Sequence, residues 1–102
     1  MERVIITRKV DELGRIVIPK EIREELKIEQ GQKLNISIRN QNIVLSADIE
    51  QEDGIAMKVD ELGRILIPYQ IREKMGIVAK QKWNTFRKGK KVILQKIVSS
   101  SI

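Results

Sequence analysis

The chain contains neither cysteine nor histidine. Without thiols there are no disulfides and no thiolate metal sites, and without imidazole the usual general base and the commonest metal ligand are missing. Aromatic residues make up only 3% of the sequence, and two prolines and six glycines punctuate it. With 41% hydrophobic and 33% charged residues, so few breakers exclude disordered and low-complexity classes and describe a compact soluble chain. No run approaches the ~18 apolar residues of a membrane span. Glu2, Arg3, Arg8 and Lys9 stand where a signal peptide would need an apolar stretch, so the expected location is the cytoplasm. At 102 residues there is room for one small domain or two very small ones, and too little for an enzyme with an interdomain cleft.

What is present is an excess of positive charge: 20 Lys and Arg against 14 Asp and Glu, for a net charge of +6. Residues 1–51 hold 9 basic and 9 acidic side chains, and residues 52–102 hold 11 basic and 5 acidic, so the whole excess lies in the second half. Much of it falls on Lys80, Lys82, Arg87, Lys88, Lys90, Lys91 and Lys96. A solvated face accounts for such a run as readily as a polyanionic partner does, and the overall balance leans toward nucleic acid.

The chain is written twice. KVDELGRIVIPKEIREELKI (Lys9 to Ile28) recurs 49 residues later as KVDELGRILIPYQIREKMGI (Lys58 to Ile77), and without gaps positions 9–46 match positions 58–95 at 18 of 38 places. Chance would give roughly two or three matches at ordinary composition. We read residues 1–46 as a first repeat, 47–56 as an acidic linker or polar turn, and 57–98 as a second repeat.

Each repeat reads as ββαββ. Val4 to Val10 is rich in β-branched residues and reads as a strand, and Asp11-Glu12-Leu13-Gly14 as a hairpin loop whose glycine takes positive φ. Arg15 to Ile18 returns as a second strand, and Pro19 suits the first turn of a helix. Ile22 and Leu26, like Ile71 and Met75, supply that helix with a narrow apolar stripe. Leu34, Ile36 and Ile38 alternate in a third strand, Asn40-Gln41-Asn42 turns, and Ile43 to Leu45 forms a fourth; Trp83 to Arg87, Gly89-Lys90 and Val92 to Leu94 repeat this less cleanly. A unit of about 45 residues without disulfide or metal can scarcely stand alone, so two copies must share one core. The expected fold is mostly β with short helices, a barrel built from two interlocked ββαββ repeats.

The carboxylates at Asp11, Glu12, Asp60 and Glu61 lie on loops, where they suit turn formation better than acid-base or metal chemistry. No catalytic residue, metal site or cofactor is therefore expected, and the chain reads as no enzyme. Arg15 and Arg64 follow the loop glycines and are aimed outward, toward phosphate or guanine, with a salt bridge to Asp11 or Glu12 as the alternative for Arg15. Arg23 and Arg72 sit among helix acids, with which they could make surface pairs. Trp83, standing where the first copy has Leu34, reads as core; Tyr69 reads as exposed and either structural or base-stacking.

The string DELGRIVIPKEIREELKI, echoed as DELGRILIPYQIREKMGI, resembles the signature of the AbrB/MazE/SpoVT superfamily of bacterial swapped-hairpin DNA-binding domains. The resemblance covers about nine-tenths of the chain and implies that two ββαββ units intertwine their hairpins in a swapped-hairpin barrel presenting arginines to double-stranded DNA. Members usually carry one copy and dimerise, so this chain resembles an intramolecular pseudo-dimer, with a homodimer or higher oligomer left open. Carried over, the DNA-facing positions fall on Arg8, Lys9, Arg15 and Arg23, and on Lys58, Arg64 and Arg72; Met57 stands at the equivalent of Arg8 and breaks the symmetry.

The expected function is transcriptional regulation through duplex DNA. One alternative is an antitoxin, but antitoxins of this superfamily carry a long C-terminal arm, and only Lys96 to Ile102 follow the last expected strand. Another is an adaptor barrel that binds protein instead of DNA, since fold alone does not settle function.

Overall fold

Each repeat runs in the expected order, but most of its strands find partners in the other repeat. The computed structural model describes residues 4–49 and 53–97. The first repeat supplies β1 (Ile6–Lys9), β2 (Arg15–Val17), α1 (Lys20–Leu26), β3 (Lys33–Arg39) and β4 (Asn42–Ser46). The second supplies β5 (Ile55–Lys58), β6 (Arg64–Leu66), α2 (Tyr69–Met75), β7 (Lys82–Lys88) and β8 (Lys91–Lys96). β5 begins at Ile55, within the stretch read as linker, because it must reach β3 of the first repeat.

β1 pairs with β7, β5 pairs with β3, and the two hairpins β3-β4 and β7-β8 join through β4 and β8. The result is a six-stranded antiparallel sheet, β1-β7-β8-β4-β3-β5, closed in barrel-like fashion by a separate two-stranded ribbon of β2 and β6. β1 and β2 are therefore not the two arms of one ladder, as a hairpin reading would have them. The loop between them turns a corner between two sheets, held by Asp11 N–H donating to the Arg15 carbonyl at 2.8 Å and Gly14 N–H to the Asp11 carbonyl at 3.1 Å.

The registers reveal an internal two-fold axis. Ile16 pairs with Ile65 in the ribbon and Val44 with Ile93 in the sheet, and both pairs are separated by the 49-residue repeat, so the axis passes through each. Alternation along the strands sends Ile16, Ile65, Leu34, Ile36, Ile43, Leu45, Val92 and Leu94 inward, each at most 1% exposed. They form one cluster with Ile22 and Ile71 from the helices and with Trp83, which is wholly buried as expected.

Pro19 and Pro68 occupy the N-cap positions, one residue outside the helices, with ψ of 138° and 146°. Proline still suits the place: its extended ψ ends the strand, and its carbonyl accepts the first helical bond, from Arg23 N–H at 3.0 Å in α1. Both helices end in the left-handed conformation, at Lys27 (φ 56°) and at Gly76 (φ 66°). The β3-β4 turn uses Asn40 and Gln41 at φ 50° and 67°, as a two-residue type I′ connection requires.

Candidate nucleic-acid interface

The ribbon positions its arginines through register. Because Ile16 and Ile65 point inward, Arg15, Val17, Arg64 and Leu66 share the outer face, half-buried. Arg15 pairs with Leu66 and Val17 with Arg64, so the two guanidinium-bearing positions lie diagonally across the ribbon, related by the internal axis.

Each arginine is held by the aspartate that opens its loop. Asp11 Oδ1 accepts from Leu13 N–H at 3.0 Å and Arg15 N–H at 2.8 Å, and Oδ2 accepts from Arg15 Nε at 2.7 Å. Asp60 repeats the arrangement with Leu62 at 2.9 Å, Arg64 N–H at 2.8 Å and Arg64 Nε at 2.6 Å. The aspartates thus build the turns, as the sequence indicates, and the ion pair expected as the alternative for Arg15 is present. It engages Nε alone: the terminal nitrogens of Arg15 and Arg64 donate to no described residue and remain available for a bidentate acceptor. Burial is the largest single influence on both carboxyls and raises them. The backbone N–H donors and the facing guanidinium together outweigh it and hold each below its ordinary value.

Arg23 and Arg72 do something the sequence did not announce. Neither pairs with its neighbouring helix glutamate; Arg23 Nε donates to the Ile18 carbonyl at 2.8 Å and Arg72 Nε to the Ile67 carbonyl at 2.9 Å. Each guanidinium then lies across the loop glycine of the opposite repeat. A Cβ on Gly14, at φ 87°, would meet Arg72 Nε at 2.7 Å, and one on Gly63 would meet the Arg23 guanidinium. The same two loops accept backbone bonds across the axis, Ile18 N–H to Gly63 and Ile67 N–H to Gly14, both at 2.9 Å. Four arginines are therefore gathered around one ribbon, two pointing outward and two clamping the loops.

The remaining expected positions divide. Lys9 and Lys58 are exposed at the ends of β1 and β5, while Arg8 and Met57 are half-buried on the opposite face of those strands. Arg8 Nη1 donates to the Thr7 carbonyl at 3.1 Å, and Met57 packs against the core. Leu13 and Leu62, overlooked in the sequence, are 63% and 60% exposed at the loop tips beside the arginines. Periodicity says nothing about direction in a turn, so no pattern marks them. Tyr69 is exposed and donates its hydroxyl to Glu73 at 2.7 Å, a bond that raises the phenol above its ordinary value, and the Arg72 guanidinium stands 5.8 Å from its ring centre. Among the described residues no group of carboxylates is arranged to hold a metal ion, and no helix is long and apolar enough to cross a membrane.

A family model described as antidote-toxin recognition MazE, bacterial antitoxin, matches residues 7–54. Those residues, slightly under half of the chain, are similar to this MazE-type domain. Stage V sporulation protein T of Bacillus subtilis is 46% identical over 46 residues, 44% of this chain and 26% of its own length. Transition state regulatory protein AbrB of the same organism is 47% identical over 45 residues, 44% of this chain and 47% of its own length. The chain thus spans about a quarter and about half of these two relatives. The solution structure of PHS018 from Pyrococcus horikoshii resembles the whole fold, with a TM-score of 0.57 and 27% identity over 94% of both chains. The AbrB-like motif residues recur in the second repeat at Asp60, Gly63, Arg64, Pro68 and Arg72.

Proposed function

We propose that this chain is a DNA-binding transcriptional regulator of the AbrB-like type, acting in the cytoplasm as a covalent pseudo-dimer of residues 1–46 and 57–98. The observation that carries the reading is the ribbon: the Ile16 to Ile65 register sets Arg15 and Arg64 on one outward face, related by a two-fold axis. A two-stranded ribbon fits the major groove, and duplex DNA has two-fold symmetry of its own to match. Arg15 and Arg64 contact bases or phosphates and Lys9 and Lys58 flank them on phosphate, while Arg8, on the other face of β1, contributes positive charge that Met57 cannot. Arg23 and Arg72 contribute positive charge near the same face while holding the loops in shape. The ribbon relies on no metal or cofactor.

Binding to a random pool of duplex DNA at two salt concentrations tests this. Neutralising about five phosphates would make log K fall with log salt at a slope near −4 to −5. Arg15→Ala and Arg64→Ala should each weaken binding by about 1 to 3 kcal/mol. Replacing Lys88, Lys90 and Lys91, which lie in and beside the β7-β8 turn, should change it little. Salt-insensitive binding, or none, would favour an adaptor barrel. The description of the matching family model favours a second reading, an antitoxin. Formation of a stoichiometric complex with a co-expressed toxin would support that reading.

A further inference from the structure

We propose that the first repeat holds a binding site for a small aromatic carboxylate, in the space that the Trp83 indole takes up in the second. The internal axis relates Leu34 to Trp83, and both are fully buried. Beside Leu34, however, lies an apolar pocket of ≈310 Å³ floored by Leu26, Ile28, Leu34, Leu45 and Val92. The equivalent positions in the second repeat are Met75, Ile77, Trp83, Leu94 and Ile43, so the floor is aliphatic at both ends apart from one position, where an isobutyl group stands in place of a bicyclic aromatic ring. The volume lies at the lower end of small-ligand pockets, which run from about 300 to 1,000 Å³.

The mouth supplies the charge preference. Glu25, Lys27, Ala47 and Lys90 line it and are exposed. Glu25 is neutralised by Arg87, whose Nη1 lies 3.4 Å from its carboxylate, whereas Lys27 and Lys90 form no ion pair with any described residue. The second repeat has Gly76 and Gln41 at the equivalents of Lys27 and Lys90, and Lys74 and Lys96 at the equivalents of Glu25 and Ala47, so cations stand at both mouths. A flat apolar body with one anionic group is complementary to the pocket and its lysines, and the Trp83 indole in the second repeat, not the mouth charge, confines it to this half.

Indole-3-acetate titrated into the full chain, followed by methyl NMR, should shift the signals of Leu34, Leu45 and Val92 with a Kd of about 1 mM or tighter. Uncharged 3-methylindole should bind about three- to tenfold more weakly, and the double variant Lys27→Gln, Lys90→Gln should erase that difference. Leu34→Trp should abolish binding with the fold retained, because the equivalent position already houses tryptophan. Should that variant not fold, Ala47→Leu at the exposed mouth should weaken binding about tenfold. No methyl shifts at about 10 mM probe, or shifts that survive both variants, would overturn the site. Equal affinity for the two probes would overturn its preference for a carboxylate.

Discussion

The two ends of the molecule differ in how alike the repeats are. From Lys9 to Ile28, which builds the ribbon and helices, the copies agree at 14 of 20 positions; from Glu29 to Ser46, which builds the sheet, they agree at 4 of 18. At the ribbon the shared residues meet with fixed geometry: an aspartate holding its own loop and, across the axis, a glycine beneath an arginine and a carbonyl accepting from the other repeat. In the sheet the requirement is a backbone ladder and a filled interior, which Leu34 and Trp83, or Ile36 and Thr85, meet with quite different side chains. Shape-specific contacts hold the repeats alike, and volume-filling ones let them diverge.

Separating the repeats gives the largest expected effect. Residues 1–50 alone would lose the partners of β1, β2, β3 on one side and β4, so they should be unfolded or homodimeric. Size and circular dichroism in dilute solution check this, and a stable monomeric half would refute a shared core. Next comes the clamp. Gly14→Ala and Gly63→Ala should each destabilise the chain by about 1 to 3 kcal/mol in urea unfolding, because the new methyl meets a tethered guanidinium at positive φ. Arg23→Ala and Arg72→Ala, which strip a charged donor from a carbonyl of a buried residue, should cost a similar or smaller amount, about 1 to 2 kcal/mol.

A third test separates the ends by acid. Asp11 and Asp60 are held below their ordinary value in the folded chain, so their contribution is present above the unfolded pKa and is lost as pH falls through the folded one. Stability should therefore decline below about pH 4, and the double variant Asp11→Asn, Asp60→Asn should flatten that decline. The smallest effect belongs to the sheet end. Thr85 Oγ1 is buried and finds no partner among the described residues, where the first repeat has Ile36, so Thr85→Val should be neutral or stabilising by up to about 1 kcal/mol in thermal unfolding.

Much of this was legible. Strand alternation placed Leu34, Ile36, Ile43 and Leu45 inside, and i, i+4 spacing placed Ile22 and Leu26 on the helix face that packs inward. The turn roles of Asp11 and Asp60 followed from the short reach of their side chains. The clamp was not legible, since Arg23 and Gly63 are 40 residues apart and a helix arginine beside glutamates looks like a surface ion pair. Nor was the partition of Arg8 and Lys9 to opposite faces of β1, which depends on which side of the strand meets the core.

By itself the sequence determined that there are two equivalent ββαββ units, too small to fold separately, with charge enough to meet a polyanion. Local propensity, side-chain period and internal repetition act over a few residues or by direct comparison, and so can be read from a string. Only the tertiary structure decided that β1 joins β7, that β2 joins β6, and that each helix arginine grips the other repeat's glycine. Those choices minimise unpaired backbone and exposed apolar surface over the whole chain at once, and no local stretch carries that information.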